Sequence, residues 1–127
     1  PTLVVKDTVL AKWHQQGKYE PLSIEDAVYW CKDLYRFFTS HNITVLRMGL
    51  HPSEGLLNGT EYIAGPFHVS FKELVLTAIW KDKILQQLQG DKNAAGTIKV
   101  PAAEINYAVG YGSANKKYFR NVEFKIK

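Results

Sequence analysis

The sequence predicts an α/β fold with a tail for which α+β is the alternative. Three observations carry that reading. An apolar run, "TLVVKDT", precedes an amphipathic helix; a second apolar run, "ITVLRMGL", follows it; and strand, helix, glycine loop, helix and strand signals succeed one another at the C-terminal end. Strand, helix, strand at the first spacing is a βαβ unit, whose strands should be parallel and whose crossover should be right-handed.

"TLVVKDT" reads as a continuous apolar strand of the kind found in sheets covered on both faces. It runs into "VLAKWHQQGKY", a short helix or turn ending at Gly17. The next segment, "PLSIEDAVYWCKDLYRFFTSHN", opens with Ser23 as N-cap and Asp26 three residues on. It sets Ile24, Ala27, Val28, Cys31, Leu34, Tyr35 and Phe38 on one stripe, which predicts a helix with that stripe, Cys31 included, in the core. "ITVLRMGL" is then the second strand, and "HPSEGLLNGTEYIAGPFH" a long loop at its C-terminal end, where ligand-contacting loops gather in α/β architectures. Another capping pair, Ser70 and Glu73, opens a helix carrying Leu74, Val75, Ala78, Ile79, Leu85 and Leu88. "GDKNAAG" reads as a linker, which places the expected domains at 1–90 and 91–127.

In the tail, "TIKV" is a strand, Pro101 suits the first turn of a helix through Val109, Ala114 to Arg120 form a second helix, and "VEFKIK" alternates as a strand. That β-α-α-β order resembles the minimal KH motif. In KH domains a GxxG loop between the helices lets a nucleic-acid backbone approach closely. Gly110, Tyr111, Gly112 and Ser113 fall on the loop positions, with Asn115, Lys116, Lys117 and Arg120 after them. Ser113 replaces the last glycine, and Tyr111 stands where a basic residue is common. The alternative for "GYGS" is a tight turn that needs a glycine for positive φ and nothing more.

Charge divides unevenly. Residues 1–90 hold nine Lys and Arg and nine Asp and Glu, whereas residues 91–127 hold seven basic and three acidic residues, so the net charge of +4 resides in the tail. Such an asymmetry points to a polyanion such as RNA. One cysteine excludes an internal disulfide and a multi-cysteine metal site, and His51 and His68 fit no zinc spacing. No apolar stretch approaches a membrane span and no signal peptide is evident, so a cytoplasmic protein is expected. A start on Pro1, with an apolar strand and no partner before it, suggests the C-terminal piece of a longer chain. Lys6 and Arg47, beside apolar strand residues, and His51 and His68, bracketing the long loop, are the groups expected near a substrate.

"PTLVVKDT", the "W…GKY.PLS.E.A" spacing, "ITVLRMGLHPSEG" and "AGPFHVSFKELV" together resemble the region after the catalytic core of radical S-adenosylmethionine (SAM) proteins related to the Elongator catalytic subunit. That group includes bacterial relatives similar to oxygen-independent coproporphyrinogen III oxidase. The resemblance implies that residues 1–90 supply closing βα units of a partial (β/α) barrel. It also implies that the 4Fe-4S cluster and S-adenosylmethionine belong to an N-terminal core, this chain's partner, since the CxxxCxxC motif is absent here. The leading expectation is a C-terminal region that completes or caps the barrel and helps hold RNA or tRNA without catalysing anything alone. The rivals are a structural or protein-interaction module and part of a coproporphyrinogen oxidase-like enzyme. An edge strand without its barrel neighbour should pair within the chain or with a second copy, as a homodimer.

Overall fold

Thr8 decides how the N-terminal segment ends. Its hydroxyl accepts from the Ala11 N–H at 3.1 Å while its own O–H donates to the Val5 carbonyl at 2.7 Å, closing strand β1 (Val4–Val5) and opening helix α1 (Val9–Gln15). This arrangement comes from a computed structural model that describes residues 1–127. Leu3 and Val4 are buried, and β1 pairs antiparallel with β2 (Tyr62–Ala64), Val4 opposite Ala64 and Val5 opposite Tyr62. The apolar N-terminal strand thus finds its partner within the chain.

Helix α2 (Ile24–Ser40) starts where the capping pattern predicts, the Ser23 hydroxyl accepting from the Asp26 N–H at 3.1 Å. Its expected core stripe is corrected: Ala27 is buried, Cys31 only half-buried, and Leu34 and Phe38 are exposed. The expected second strand is corrected as well. Residues 43–50 form no strand: no strand of the chain pairs with this segment, and an apolar run without hydrogen-bonded pairing does not become one. The parallel βαβ unit therefore does not form, and an antiparallel β1–β2 pair stands in its place. The long loop carries structure of its own: the short helix α3 (Glu54–Leu57), capped by Ser53, and β2.

Helix α4 (Phe71–Gln87) leads into the tail, where β3 (Gly96–Val100), a 3-10 turn (Ala102–Glu104), α5 (Ile105–Val109), a second 3-10 turn (Tyr111–Ser113), α6 (Ala114–Tyr118) and β4 (Val122–Ile126) follow in the predicted order. β3 and β4 pair in parallel, Ile98 opposite Phe124 and Val100 opposite Ile126. Alternation points Ile98 and Val100 inward, where they pack with Trp80 and Ile84 of α4, Ala108 of α5 and Phe119. Phe119 and Ile84 are fully buried, and each such side chain contributes about 1.5–3 kcal/mol of burial. The chain divides into two compact units, Pro1–Phe71 and Lys72–Lys127, with α4 from Lys72 onward in the second. No helix is long and apolar enough to cross a membrane.

Candidate functional site

The glycine loop is built on Thr77. Its hydroxyl accepts from the Tyr111 N–H at 2.9 Å, and its carbonyl accepts from the Asn115 side-chain amide at 3.0 Å. The same amide donates to the Ala108 carbonyl at 3.1 Å. Asn115 is 1% exposed, so its side chain acts as a clamp inside the fold. Gly110, at φ 95° and ψ 155°, has no room for a side chain, since a Cβ there would lie 2.9 Å from both the Asn115 nitrogen and Thr77 Cγ2. Gly112, at φ 59°, faces open space, and Ser113 takes the left-handed conformation after it. Tyr111 is exposed beside them.

The loop borders a shallow cleft of about 380 Å³ that it shares with Asn106, Tyr107 and Glu73. Glu73 is the sole charged residue in that lining, and its charge has the sign that repels a phosphate.

Positive charge gathers elsewhere in the second unit, which holds ten Lys and Arg against five Asp and Glu. Lys92, Asn93, Lys117, Tyr118 and Arg120 line a cleft of about 300 Å³. The Lys81 ammonium sits 4.0 Å from the centre of the Tyr118 ring and that of Lys92 at 5.3 Å. Lys125 pairs with Glu123 at 3.4 Å, but Lys92, Lys117 and Arg120 have no carboxylate partner. Two of the expected nucleic-acid contacts, Lys117 and Arg120, are thus brought together, while Lys116 is exposed and lines neither cleft. Lys92, Lys81 and Tyr118 escaped the sequence reading. Lys92 reaches the cleft from the 90–96 loop, far from the glycine motif in sequence, and only the lysine excess of the segment hinted at it.

In the first unit, the four expected substrate-side groups do not converge. Lys6 lines a cleft of about 560 Å³ with Asp7, Thr8, Lys12 and Ile63. Arg47 lines a different groove, about 210 Å³, whose walls are Cys31, Leu34, Tyr35 and Phe38 of α2 and Val45 and Met48 of the segment after it. His51 is exposed, and the His68 Nδ1 accepts from the Ser70 N–H at 3.0 Å. Along α2, Trp30, Leu34, Phe37 and Phe38 form a solvent-exposed stripe at helical spacing, and Leu46 on the following segment is 94% exposed.

The family model described as the Radical_SAM C-terminal domain matches residues 1–81. The chain belongs to that family. No curated protein and no solved structure matches it. The match covers the first unit and the first part of α4, so this radical SAM C-terminal domain owns the α2 stripe and the groove beneath it, whereas the cationic cleft lies beyond the matched residues. An iron-sulfur cluster is held by several thiolates. The radical SAM C-terminal domain has only Cys31, half-buried in the apolar groove, and no three of its metal-ligating side chains come together. Its residues do not fit a cluster.

Proposed function

We propose that this radical SAM C-terminal domain is a non-catalytic module that caps a radical SAM core of the type related to the Elongator catalytic subunit. The core would supply the 4Fe-4S cluster, S-adenosylmethionine and the remaining barrel strands. The observation that carries this reading is the exposed stripe of Trp30, Leu34, Phe37 and Phe38 on α2, with Ile43 and Leu46 also exposed on the segment that follows the helix. Soluble chains rarely leave a contiguous apolar face of this kind in water unless a partner covers it. The apolar 44–50 segment, which pairs with no strand of the chain, adds backbone groups that a barrel strand would satisfy. Arg47 lies in the same groove and would face the core, which makes it the strongest of the four substrate-side candidates ahead of Lys6, His51 and His68.

The test is to mix the chain with a purified radical SAM core of this type and follow complex formation by size-exclusion chromatography. The wild type should co-elute with the core, and the Leu34→Glu, Leu46→Glu variant should not. Equal binding by the variant would sink the reading.

A second reading concerns the tail. Its excess of basic residues favours RNA, including tRNA, as a partner, and the β-α-α-β order supports a KH-like comparison. A coproporphyrinogen oxidase-like role is less favoured: binding a poly-carboxylate calls for clustered cations, and Pro1–Phe71 holds six basic against seven acidic residues.

A further inference from the structure

We propose that the cleft formed by Lys92, Lys117 and Arg120 binds the phosphates of a single RNA strand, and that Tyr118 is the positioning residue that organises it. This rests on the reading of the tail as RNA-binding and moves the contact from the glycine loop to a different cleft.

Two ammoniums lie over the Tyr118 ring, and two further cations share a cleft with it. Lys81 and Lys92 hold their ammoniums over Tyr118 at 4.0 and 5.3 Å, and Lys117 and Arg120 line the same cleft. Like charges at this density repel one another, and no carboxylate neutralises Lys92, Lys117 or Arg120. An incoming anion supplies what is missing. The attraction of each ammonium to the Tyr118 ring offsets part of the repulsion and fixes where the two charges stand before a ligand arrives.

The backbone beside Lys92 is also fixed. The Asp91 carboxylate accepts from the Asn93 N–H at 2.9 Å, and the Asn93 carbonyl accepts from the Asn121 side-chain amide at 2.8 Å. The loop bearing Lys92 is thereby tied to the turn that follows Arg120. Lysines engage phosphate as point charges, and the Arg120 guanidinium offers a planar fork that matches two phosphate oxygens.

The glycine-loop cleft lacks these features, with Glu73 as its only charge. RNA is favoured over a free phosphate because the second unit's excess of positive charge is more than a lone phosphate group neutralises. With ammoniums held over the Tyr118 ring, what the cleft presents is positive charge, which engages phosphates. Binding should therefore read the backbone and be indifferent to sequence.

The experiment titrates fluorescent oligo-U and oligo-A RNA with the full 127-residue chain across a range of salt, by anisotropy. Four proteins are compared: wild type; Lys92→Ala with Arg120→Ala; Tyr118→Leu; and Tyr118→Phe. Thermal unfolding verifies that each is folded. The cleft predicts equal, salt-weakened binding of both RNAs, a log K against log salt slope smaller by about 1.4 in the Lys92, Arg120 variant, as two lost contacts to a single strand require, weaker binding by Tyr118→Leu, and recovery in Tyr118→Phe, which keeps the ring. RNA binding by wild type that the Lys92, Arg120 variant retains with an unchanged slope overturns the cleft and leaves the RNA reading standing. Absence of RNA binding by wild type overturns both. A parallel arm measures stabilisation by inorganic pyrophosphate: stabilisation that the double variant loses, in a wild type that binds no RNA, would make the occupant a small phosphate compound and overturn the RNA strand as the ligand.

Discussion

The side-chain amide of Asn115 donates to the carbonyl of Thr77 across 3.0 Å, joining the first turns of α6 to the middle of α4. Its second bond, to Ala108, brings α5 into the same clamp. Asn115→Ala removes both donors inside a buried setting and should destabilise the chain by about 1–3 kcal/mol. Thr77→Val keeps the shape but leaves the Tyr111 N–H without its acceptor, at about 1–2 kcal/mol. Urea denaturation followed by tryptophan fluorescence measures both, and a loss below 0.5 kcal/mol for Asn115→Ala, roughly the scale of a surface substitution, would refute the clamp.

The two loop glycines should respond differently. Gly110→Ala places a Cβ 2.9 Å from Thr77 Cγ2 and the Asn115 nitrogen in a conformation that only glycine adopts readily, at a cost of about 2–4 kcal/mol. Gly112→Ala meets open space and bears only the left-handed penalty, about 1 kcal/mol. Ser113→Gly relieves a left-handed serine and should be neutral or stabilising by up to about 1 kcal/mol. Ranking the three unfolding midpoints checks the assignment. An equal cost at both glycines would contradict it.

Ser23 caps α2 by accepting from the Asp26 N–H. Ser23→Ala should cost about 1 kcal/mol and Ser23→Asp almost nothing, because a carboxylate oxygen also accepts and favours a helix N-terminus. Thermal melts of the two variants decide the point. Equal losses would show that the cap contributes little to α2.

The apolar groove offers a direct probe, since Cys31 lies in its wall. Iodoacetamide should label Cys31 in the isolated chain and react more slowly once the radical SAM core is bound. Leu46→Lys should leave stability within about 0.5 kcal/mol of wild type, because Leu46 is 94% exposed, while abolishing that protection. Labelling that is unaffected by the core would place the contact elsewhere.

Local chemistry made much of the second unit legible. Pro101, Gly110 and the alternation of "VEFKIK" are short-range signals, and they mark the observed β3, α5, α6 and β4. The Ser23 and Thr8 caps lie within three residues of their partners, so the start of α2 is legible in its sequence, whereas the short α1 segment suits a helix and a turn alike. "ITVLRMGL" misled because an apolar, β-branched run states only a preference, and a strand exists when another strand accepts its hydrogen bonds. Tyr62–Ala64 was missed for the converse reason: a strand of three residues in a glycine- and proline-rich stretch earns its place by pairing with Val4–Val5. At the candidate site, Lys117 and Arg120 were found through their closeness to the glycine motif. Lys81, Lys92 and Tyr118 were not, because ring and ammoniums meet only through tertiary packing.

The direction of β3 relative to β4 has a mechanical meaning. Tension along the chain enters β3 at Gly96 and leaves β4 at Ile126, and between parallel strands this loads all five paired positions together, in shear. The β1–β2 pair is antiparallel with two paired positions, so the same pull opens it one rung at a time. A stretched chain should surrender its N-terminal strand pair first and keep its C-terminal unit until a single abrupt rupture.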